Sequence, residues 1–208
     1  MKTRGDFGGR FVKRLIDVVA SGIAILVLSP VLVVVAVAVA ANLGRPVIFA
    51  QDRPGLGGRV FTLYKFRTMK EVDEHRGLTS DEDRLTGFGL KLRATSLDEL
   101  PTLINVLRGD MSIVGPRPLL VRYLDRYTPE QSRRHDVRPG LTGLAQVSGR
   151  NALTWEQKFD FDLRYVEQHN LRMDIGIVVK TFLSVARRDG ISGHGEATMP
   201  EFNPGHNH

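Results

Sequence analysis

An apolar stretch near the N-terminus constrains the fold of this 208-residue chain more than any other feature. Residues 18–41 form a run of 24 residues without a charged side chain. Such a run is longer than the helices of soluble cores and is typical of a membrane element. A secretory signal peptide fits poorly, because its apolar part has roughly 7–15 residues. Pro30 also interrupts the run near its middle.

Two membrane arrangements remain open from the residues alone. A single span is the simplest, but five Lys and Arg precede the stretch, and Arg45, Arg53 and Arg59 follow it. Positive charge marks the cytoplasmic side, so both flanks favour the same face. The alternative is a re-entrant hairpin that breaks at Ser29-Pro30, since proline removes a backbone donor and kinks a helix. Each arm would then reach about 16 Å, roughly half of the hydrocarbon core.

Composition limits the classes of function. Lys and Arg outnumber Asp and Glu by 29 to 23, giving a net charge of +6, which suits polyanionic partners such as anionic lipid, nucleic acid or phosphate-bearing substrates. The chain has no cysteine, which excludes a disulfide framework, a thiolate zinc site and a cysteine nucleophile. The glycines at 55, 57 and 58 do not form a dinucleotide-binding motif, and neither a Walker A sequence nor H-E-x-x-H occurs.

The first half of the polar region predicts a β-hairpin and a helix. Residues 47–51 and 60–66 are rich in β-forming side chains and are separated by a turn with proline and several glycines, so they predict paired strands. Ser96 and Glu99 have the spacing of a capping box, which predicts a helix that opens at Ser96. Gly109 is expected to end it. An apolar stripe supports this helix: Leu100, Leu103, Ile104 and Leu107.

The second half predicts three further helices. Thr128 precedes a proline at the first helical position. Thr154 and Gln157 form another capping box, which predicts a helix to about residue 169. Residues 174–188 predict an amphipathic helix with basic residues around an apolar face. The Gly- and His-rich tail, residues 193–208, predicts a mobile end.

The adjacent acids Asp98 and Glu99 have two interpretations. The structural one is a helix cap with an acid near the positive end of the helix. The functional one is a carboxylate pair, in which a position at the helix start keeps Asp98 ionised, as a carboxylate nucleophile requires. Neighbouring residues diverge by about 100° around a helix, so one can attack while the other holds a divalent metal ion.

Cationic residues accompany this pair along the chain. Arg117, Arg138 and Arg150 lie next to glycine or proline, and Arg93 lies just before the pair. Any one of them alone is best explained as a solvated surface residue. Together they occupy turn-rich segments that favour fixed guanidinium groups for phosphate oxygens. The structural alternative for Lys65 is a lysine on an edge strand, where it discourages aggregation.

Ordered sequence blocks, taken together, show a family resemblance. The blocks are K-R-L-I-D at 13–17 with Ser29-Pro30, Y-K-F-R-T-M at 64–69, S-L-D-E-L-P at 96–101 after Arg93, N-V-L-R-G-D-M-S at 105–112, V-G-P-R-P at 114–118, V-R-P-G-L-T-G at 137–143 and Q-V-S-G-R-N at 146–151. With these blocks the chain resembles, from Lys13 to about Phe202, the monotopic phosphoglycosyl transferases, the bacterial sugar transferase family, in its small form.

The resemblance implies an α+β, mostly helical fold with three parts. A re-entrant membrane helix-hairpin broken at Ser29-Pro30 is expected over residues 1–42. A compact catalytic domain with a short β-hairpin follows over residues 43–190, and a tail over residues 191–208. The implied location is the bacterial inner (cytoplasmic) membrane, with the protein monotopic and the catalytic domain on the cytoplasmic face.

The resemblance also assigns the site. It implies that Asp98 is the nucleophile and that Glu99, together with Asp98, holds Mg²⁺. The substrate-binding residues that it implies are Lys65, Arg93, Arg117, Arg150 and Asp162. Asp160 lies two residues from Asp162 in a similar context.

The implied reaction is transfer of a phosphosugar from a UDP-sugar to polyprenyl (undecaprenyl) phosphate. It gives polyprenyl diphosphosugar and UMP through an aspartyl-phosphosugar intermediate, as the first membrane step of glycoconjugate assembly. The expected partners are the UDP-sugar, polyprenyl phosphate and membrane lipid, with no nucleic acid. The resemblance to the small form, including the tail at residues 196–205, implies an acetamido or diacetamido sugar. Two other classes remain: a membrane-anchored basic scaffold, and a hydrolase that uses water as acceptor.

Overall fold

The computed structural model describes residues 6–149, 153–187 and 201–203. Within these ranges the chain is mostly helical with two small sheets, which confirms the predicted α+β class. The helices are α1 (Asp6–Leu43), α2 (Asp81–Arg84), α3 (Gly87–Ala94), α4 (Thr102–Arg108), α5 (Pro129–Ser132), α6 (Leu144–Ser148), α7 (Trp155–Gln168) and α8 (Leu171–Arg187). The strands are β1 (Ile48–Pro54), β2 (Val60–Phe66), β3 (Ser112–Val114) and β4 (Gly140–Thr142).

Helix α1 contains the apolar stretch and is bent. Its two segments, Gly9–Val27 and Ser29–Leu43, meet at 63°. Among the described residues no single helix is long and apolar enough to cross a membrane, whereas this bent pair meets the requirement together. The Ser29 hydroxyl donates to the carbonyl of Leu26 at 2.8 Å. Because Pro30 has no amide hydrogen for that same carbonyl, serine satisfies the group that the break exposes. The bend thus lies next to Ser29-Pro30, where the sequence predicts a break, and the re-entrant membrane arrangement stays a prediction.

The N-terminal arm of α1 is attached to the rest of the chain by charged side chains. The two terminal nitrogens of Arg14 donate to the carbonyls of Val106 and Leu107 at 2.7 and 2.9 Å, so Arg14 caps the C-terminal end of α4. The buried carboxylate of Asp17 accepts from the amide of Ile113 in β3 at 3.1 Å. This arm therefore has a fixed position relative to α4 and β3.

The C-terminal arm of α1 is attached as well. Arg67 donates to the carbonyls of Leu43 and Arg45, just where the helix ends. Apolar residues of this arm also enter the core, because they pack against β2 and α3. The buried residues of this cluster are Val35, Val39, Phe66 and Leu92. Both arms thus end on one folded body.

Between the two attached stretches, the middle of α1 presents large apolar side chains outward. These exposed residues include Ile23, Leu26, Val27, Val33 and Val34. A continuous apolar surface of this kind is stable only against lipid or another apolar partner.

The predicted β-hairpin is confirmed. Strands β1 and β2 pair antiparallel, with Phe49 opposite Lys65 and Pro54 opposite Val60. A short 3-10 turn, Leu56–Gly58, joins them, and Gly57 adopts a left-handed φ of 63° there. Such a conformation is easy only for glycine, which explains part of the glycine-rich connection.

The predicted helix that opens at Ser96 is wrong in its first turn. Ser96 has a left-handed φ of 55°, and its side chain makes no capping hydrogen bond. Leu97–Glu99 form a 3-10 turn, and the α-helix begins only at Thr102. The capping box fails because the Glu99 carboxylate binds cations instead. The helix end is confirmed, since Gly109 caps it with a φ of 98°.

The later helices α5, α7 and α8 agree with prediction, whereas the short helix α6 is not predicted. Thr128 and Thr154 each open a helix with a complete capping box, although α5 is only four residues long, and α8 starts at Leu171. The parallel pair β3–β4 has no counterpart among the predictions. It brings Gly115 and Gly140 so close that a Cβ on Gly140 would lie 2.1 Å from the Gly115 nitrogen.

The predicted mobile tail is wrong for the three tail residues that the structure describes. Phe202 is buried, and Glu201 and Asn203 bind Arg126. The remaining tail residues lie outside the described ranges.

Candidate active site

The acidic pair lies on the turn between α3 and α4, and α4 fixes this turn against β2. The Thr102 hydroxyl donates to the Tyr64 carbonyl at 2.9 Å. The Asn105 side chain accepts from the Tyr64 amide at 3.1 Å and donates to the Thr62 carbonyl at 2.8 Å. Thr102 and Asn105 are fully buried, so these bonds are shielded from water. Lys65, the next residue of β2, is held beside the acidic pair as a result.

Glu99 is surrounded by cations. Its Oε1 accepts from Lys65 Nζ at 2.5 Å and from an Arg117 nitrogen at 3.4 Å. Burial alone would raise the pKa of Glu99, but the charges of Lys65 and Arg117 outweigh it and lower the pKa to about 2. Glu99 is therefore a permanent anion across the physiological pH range.

Asp98 has the opposite electrostatic environment. Its side chain is buried, with 8% of the residue exposed. Burial and then the neighbouring charge of Glu99 raise the pKa of Asp98 to about 6, against the opposing effect of Lys65, Arg117 and Arg93. The prediction that a helix start keeps Asp98 ionised is wrong in its cause, because Asp98 precedes the α-helix by a turn. Near neutral pH Asp98 is ionised but poorly solvated, which favours a carboxylate nucleophile.

Arg93 reaches the pair from α3. Its Nε donates to the Thr68 hydroxyl at 3.1 Å. Burial lowers the pKa of Arg93, and the nearby charge of Asp98 counteracts the effect. The structure therefore places Lys65, Arg93 and Arg117 near the two carboxylates, and their roles in substrate binding stay predictions.

Arg117 lies between two prolines, and its backbone is held by a second arginine. Arg134 donates to the Arg117 carbonyl at 2.7 Å. Arg134 also forms a buried ion pair with Asp162, with contacts of 2.6 and 3.0 Å. Asp162 is therefore linked to Glu99 only through Arg134 and then Arg117. Its predicted contact with substrate stays a prediction.

Two other predicted cations do not join the described site. Arg138 donates through Nε to the carbonyl of Gly109 at 2.8 Å, at the C-terminal end of α4. Arg150, predicted to bind substrate, lies outside the described residues.

The sequence also matches known proteins. A family model described as bacterial sugar transferase covers residues 8–188. The chain belongs to the bacterial sugar transferase family. The resemblance to phosphoglycosyl transferases is therefore confirmed.

Several curated relatives of this sugar transferase are similar over most of its length. It is 46% identical over 192 residues to the uncharacterized sugar transferase EpsL of Bacillus subtilis, covering 92% of the chain and 95% of the relative. It is 40% identical to the UDP-glucose:undecaprenyl-phosphate glucose-1-phosphate transferase of Caulobacter vibrioides, covering 85% and 70%. It is 39% identical to the undecaprenyl-phosphate galactose phosphotransferase of Salmonella typhimurium, covering 87% of the chain but 42% of that relative.

The carboxylate oxygens of this site fit a magnesium ion whose remaining ligands would come from substrate phosphates and water. Among the described residues, no group of three or more His, Asp or Glu side chains could hold a metal by itself. Magnesium commonly binds one or two carboxylates, with substrate phosphates and water supplying the other ligands. Both cation contacts of Glu99 use Oε1, so Oε2 is its oxygen available to a metal beside Asp98.

Sequence reasoning missed Arg134, although it holds the backbone of a predicted site residue. Its neighbour Arg133 forms an ordinary surface pair with Glu167 at 3.0 Å. No motif distinguishes the two adjacent arginines, and only the fold shows which one is buried. Asn105 lies in a family block that gives it no role, yet it joins α4, which follows the acidic turn, to β2.

Proposed function

We propose that this sugar transferase moves a phosphosugar from a UDP-sugar to polyprenyl (undecaprenyl) phosphate, giving polyprenyl diphosphosugar and UMP. The observation that carries the proposal is the acidic pair among cations. It contains one carboxylate whose pKa is raised to about 6 and one whose pKa is lowered to about 2. Divergent pKa values in one site favour two separate roles for the two acids. Relatives whose names describe undecaprenyl-phosphate sugar-phosphate transfer add support.

In the first step, the Asp98 carboxylate attacks the phosphorus that carries the sugar. A bond forms between the carboxylate oxygen and this phosphorus, and the bond to the bridging oxygen breaks. That oxygen keeps the electron pair and leaves on UMP. Burial favours this role for Asp98, because a carboxylate stripped of water is a stronger nucleophile than a solvated one.

The cations hold the phosphate oxygens during transfer. Lys65 and Arg117 contact Glu99, and the charge of Arg93 acts on Asp98. Fixed positive groups stabilise the negative charge on a transferring phosphoryl group. Mg²⁺, held by Glu99 and Asp98 together with diphosphate oxygens, would neutralise further charge on the donor.

In the second step, polyprenyl phosphate attacks the same phosphorus. The bond to Asp98 breaks, and the carboxylate leaves with the electron pair. The free enzyme is thus restored without water as a reactant. A rival hydrolase would release the phosphosugar to water, so dependence of the product on added polyprenyl phosphate separates the two reactions.

The attachment of α1 supports a re-entrant arrangement in the membrane. Its N-terminal arm is bound through Arg14 and Asp17, and its C-terminal end through Arg67. Because all three contacts lead to one folded body, both ends of α1 lie on one side of any bilayer that the bent middle enters. The proposed location is the bacterial inner membrane, with the catalytic domain on its cytoplasmic face, beside the lipid acceptor.

Intact-protein mass spectrometry tests the covalent step. The enzyme is mixed with Mg²⁺ and a UDP-sugar, without lipid acceptor. The relatives' names differ in the sugar, so the panel spans UDP-glucose, UDP-galactose and acetamido sugars. We expect a mass gain of one phosphosugar with the correct donor. Asp98→Asn should abolish the adduct and lower turnover at least about 1000-fold.

The Asp98→Asn variant also supplies its own folding control. Because burial raises the pKa of Asp98, its ionised form lowers the stability of the folded chain near neutral pH. The asparagine variant should therefore unfold at the same or a higher temperature. A different outcome would contradict the covalent step: wild type releases UMP only when polyprenyl phosphate is present and never forms an adduct. Asp98 would then be a metal ligand and not the nucleophile. Absence of UMP release with every donor would favour the scaffold class.

A further inference from the structure

The described part of the C-terminal segment, residues 201–203, contains a buried aromatic anchor, Phe202. Phe202 is 5% exposed and lies within an aromatic cluster, with ring centroids 5.0–5.9 Å from its own. Two of its four partners lie on α7, and a third lies just before α5. The partners of Phe202 in this aromatic cluster are Tyr123, Tyr127, Trp155 and Phe159.

Polar contacts fix the backbone on either side of this anchor. One terminal nitrogen of Arg126 donates to Glu201 at 2.9 Å, to the Phe202 carbonyl at 2.6 Å and to Asn203 at 3.1 Å. The amide of Phe202 donates to the Tyr123 hydroxyl at 3.2 Å. The anchor therefore satisfies both backbone groups of Phe202 and buries its ring, which an accidental surface contact would not do.

The aromatic cluster also supports Arg134 from one side. The Arg134 guanidinium lies 5.8 Å from the Tyr127 ring centroid and 5.7 Å from that of Phe159. It donates to the Tyr127 hydroxyl at 3.2 Å. Phe202 packs against both rings. Asp162 on α7 balances the charge of the buried Arg134.

A continuous series of contacts thus leads from the tail to the acidic pair. Phe202 packs on Tyr127, Tyr127 binds Arg134, and Arg134 binds the Arg117 carbonyl at 2.7 Å. Arg117 then contacts Glu99 at 3.4 Å. The anchor lies beyond residue 188, where the match to the family model ends.

We propose that Phe202 is a positioning residue for Arg117, acting through Tyr127 and Arg134. The functional part of this inference rests on the proposed phosphosugar transfer. Without the Phe202 ring, Tyr127 and Phe159 lose a packing partner and Arg134 loses its fixed support. Displacement of a phosphate-binding guanidinium by about 1 Å is enough to lower a rate about 100-fold.

Hydrogen exchange of the resting protein tests the structural part without any substrate. We expect Phe202→Ala to accelerate amide exchange in the segment 115–127 and in α7. Phe61→Ala is the matched control, because Phe61 packs with Leu63, Val106 and Met111 instead. That control should affect its own cluster and leave segment 115–127 largely as in wild type. Unchanged exchange of segment 115–127 in Phe202→Ala would overturn the inference, whatever the reaction proves to be.

A double-mutant cycle tests the functional part. Phe202→Ala should slow adduct formation about 10- to 100-fold in the wild-type background and have almost no further effect in Arg117→Ala. Phe202→Leu, which keeps part of the buried apolar volume, should lie between Phe202→Ala and wild type. A merely structural loss would lower the rate by the same factor in both backgrounds, and that result would refute the positioning role. No adduct in wild type would instead count against the proposed covalent step, while hydrogen exchange still decides the anchor.

Discussion

The pKa values of the two adjacent acids are shifted in opposite directions, to about 6 for Asp98 and to about 2 for Glu99. Lys65 and Arg117 bind Glu99 directly, whereas Asp98 is buried next to the resulting negative charge. The sequence was sufficient to locate the pair and its three described cations, since the family blocks surround them. It was insufficient to predict how the pair is ionised, because ionisation depends on burial and on which carboxylate oxygen each cation reaches.

The raised pKa of Asp98 predicts a pH dependence for adduct formation. Attack requires the ionised carboxylate, and its pKa is about 6, so protonation removes the nucleophile below that pH. We expect the single-turnover rate to be constant above about pH 7 and to fall about tenfold per pH unit below the midpoint. A bound divalent cation shifts the midpoint to lower pH.

Glu99→Gln provides a comparison for this profile. It removes the negative charge that helps to raise the pKa of Asp98, so the midpoint should move to lower pH even though the rate itself falls. Rapid-quench measurement of adduct at several pH values reports both quantities. A profile that stays flat to pH 5 in wild type would show that Asp98 ionisation does not limit the step.

At the scale of elements, signals from residues close in sequence predict most of the observed elements, whereas contacts between distant segments have no such signal. The proline break in α1, the β-hairpin and the capping boxes at Thr128 and Thr154 depend on residues close in sequence. The parallel pair β3–β4 joins segments 28 residues apart and has no local signature. The helix start at Ser96 was misjudged because Lys65, far away in sequence, takes the glutamate that the capping box needs.

The bent helix predicts where its two ends lie relative to a membrane. Single cysteines in place of Gly9 and Gly44 should react with an impermeant maleimide from the same side of sealed inverted vesicles. The cysteine-free background makes each label specific. Pro30→Leu should restore the backbone donor and reduce the bend, so a fraction of molecules should then expose the two positions on opposite sides. If the two cysteines react from opposite sides in the protein that keeps Pro30, α1 crosses the membrane as a single span.

At the scale of the whole molecule, apolar surface and net charge give competing accounts of membrane attachment. The middle of α1 exposes side chains such as Leu26 and Val34, at 74% and 67% of their surface. The net charge of +6 instead favours electrostatic attachment to anionic lipid. The apolar contribution is not screened by salt, whereas the electrostatic one falls with ionic strength.

Extraction of native membranes distinguishes the two contributions. We expect the protein to remain in the membrane fraction after washing with concentrated salt and then with alkaline carbonate. Detergent should release it. Release by salt alone would show that surface charge holds the protein, and it would count against insertion of α1.

The bend at Pro30 has a further consequence for the bilayer itself. From Asp17 to the bend the N-terminal arm rises about 20 Å, less than a hydrocarbon core of about 30 Å. In the proposed topology the helix therefore adds material to one leaflet only and acts as a shallow wedge. Such a wedge inserts most easily where that leaflet is stretched. The protein should accordingly prefer small, strongly curved vesicles over large ones of the same lipid, as co-sedimentation would measure.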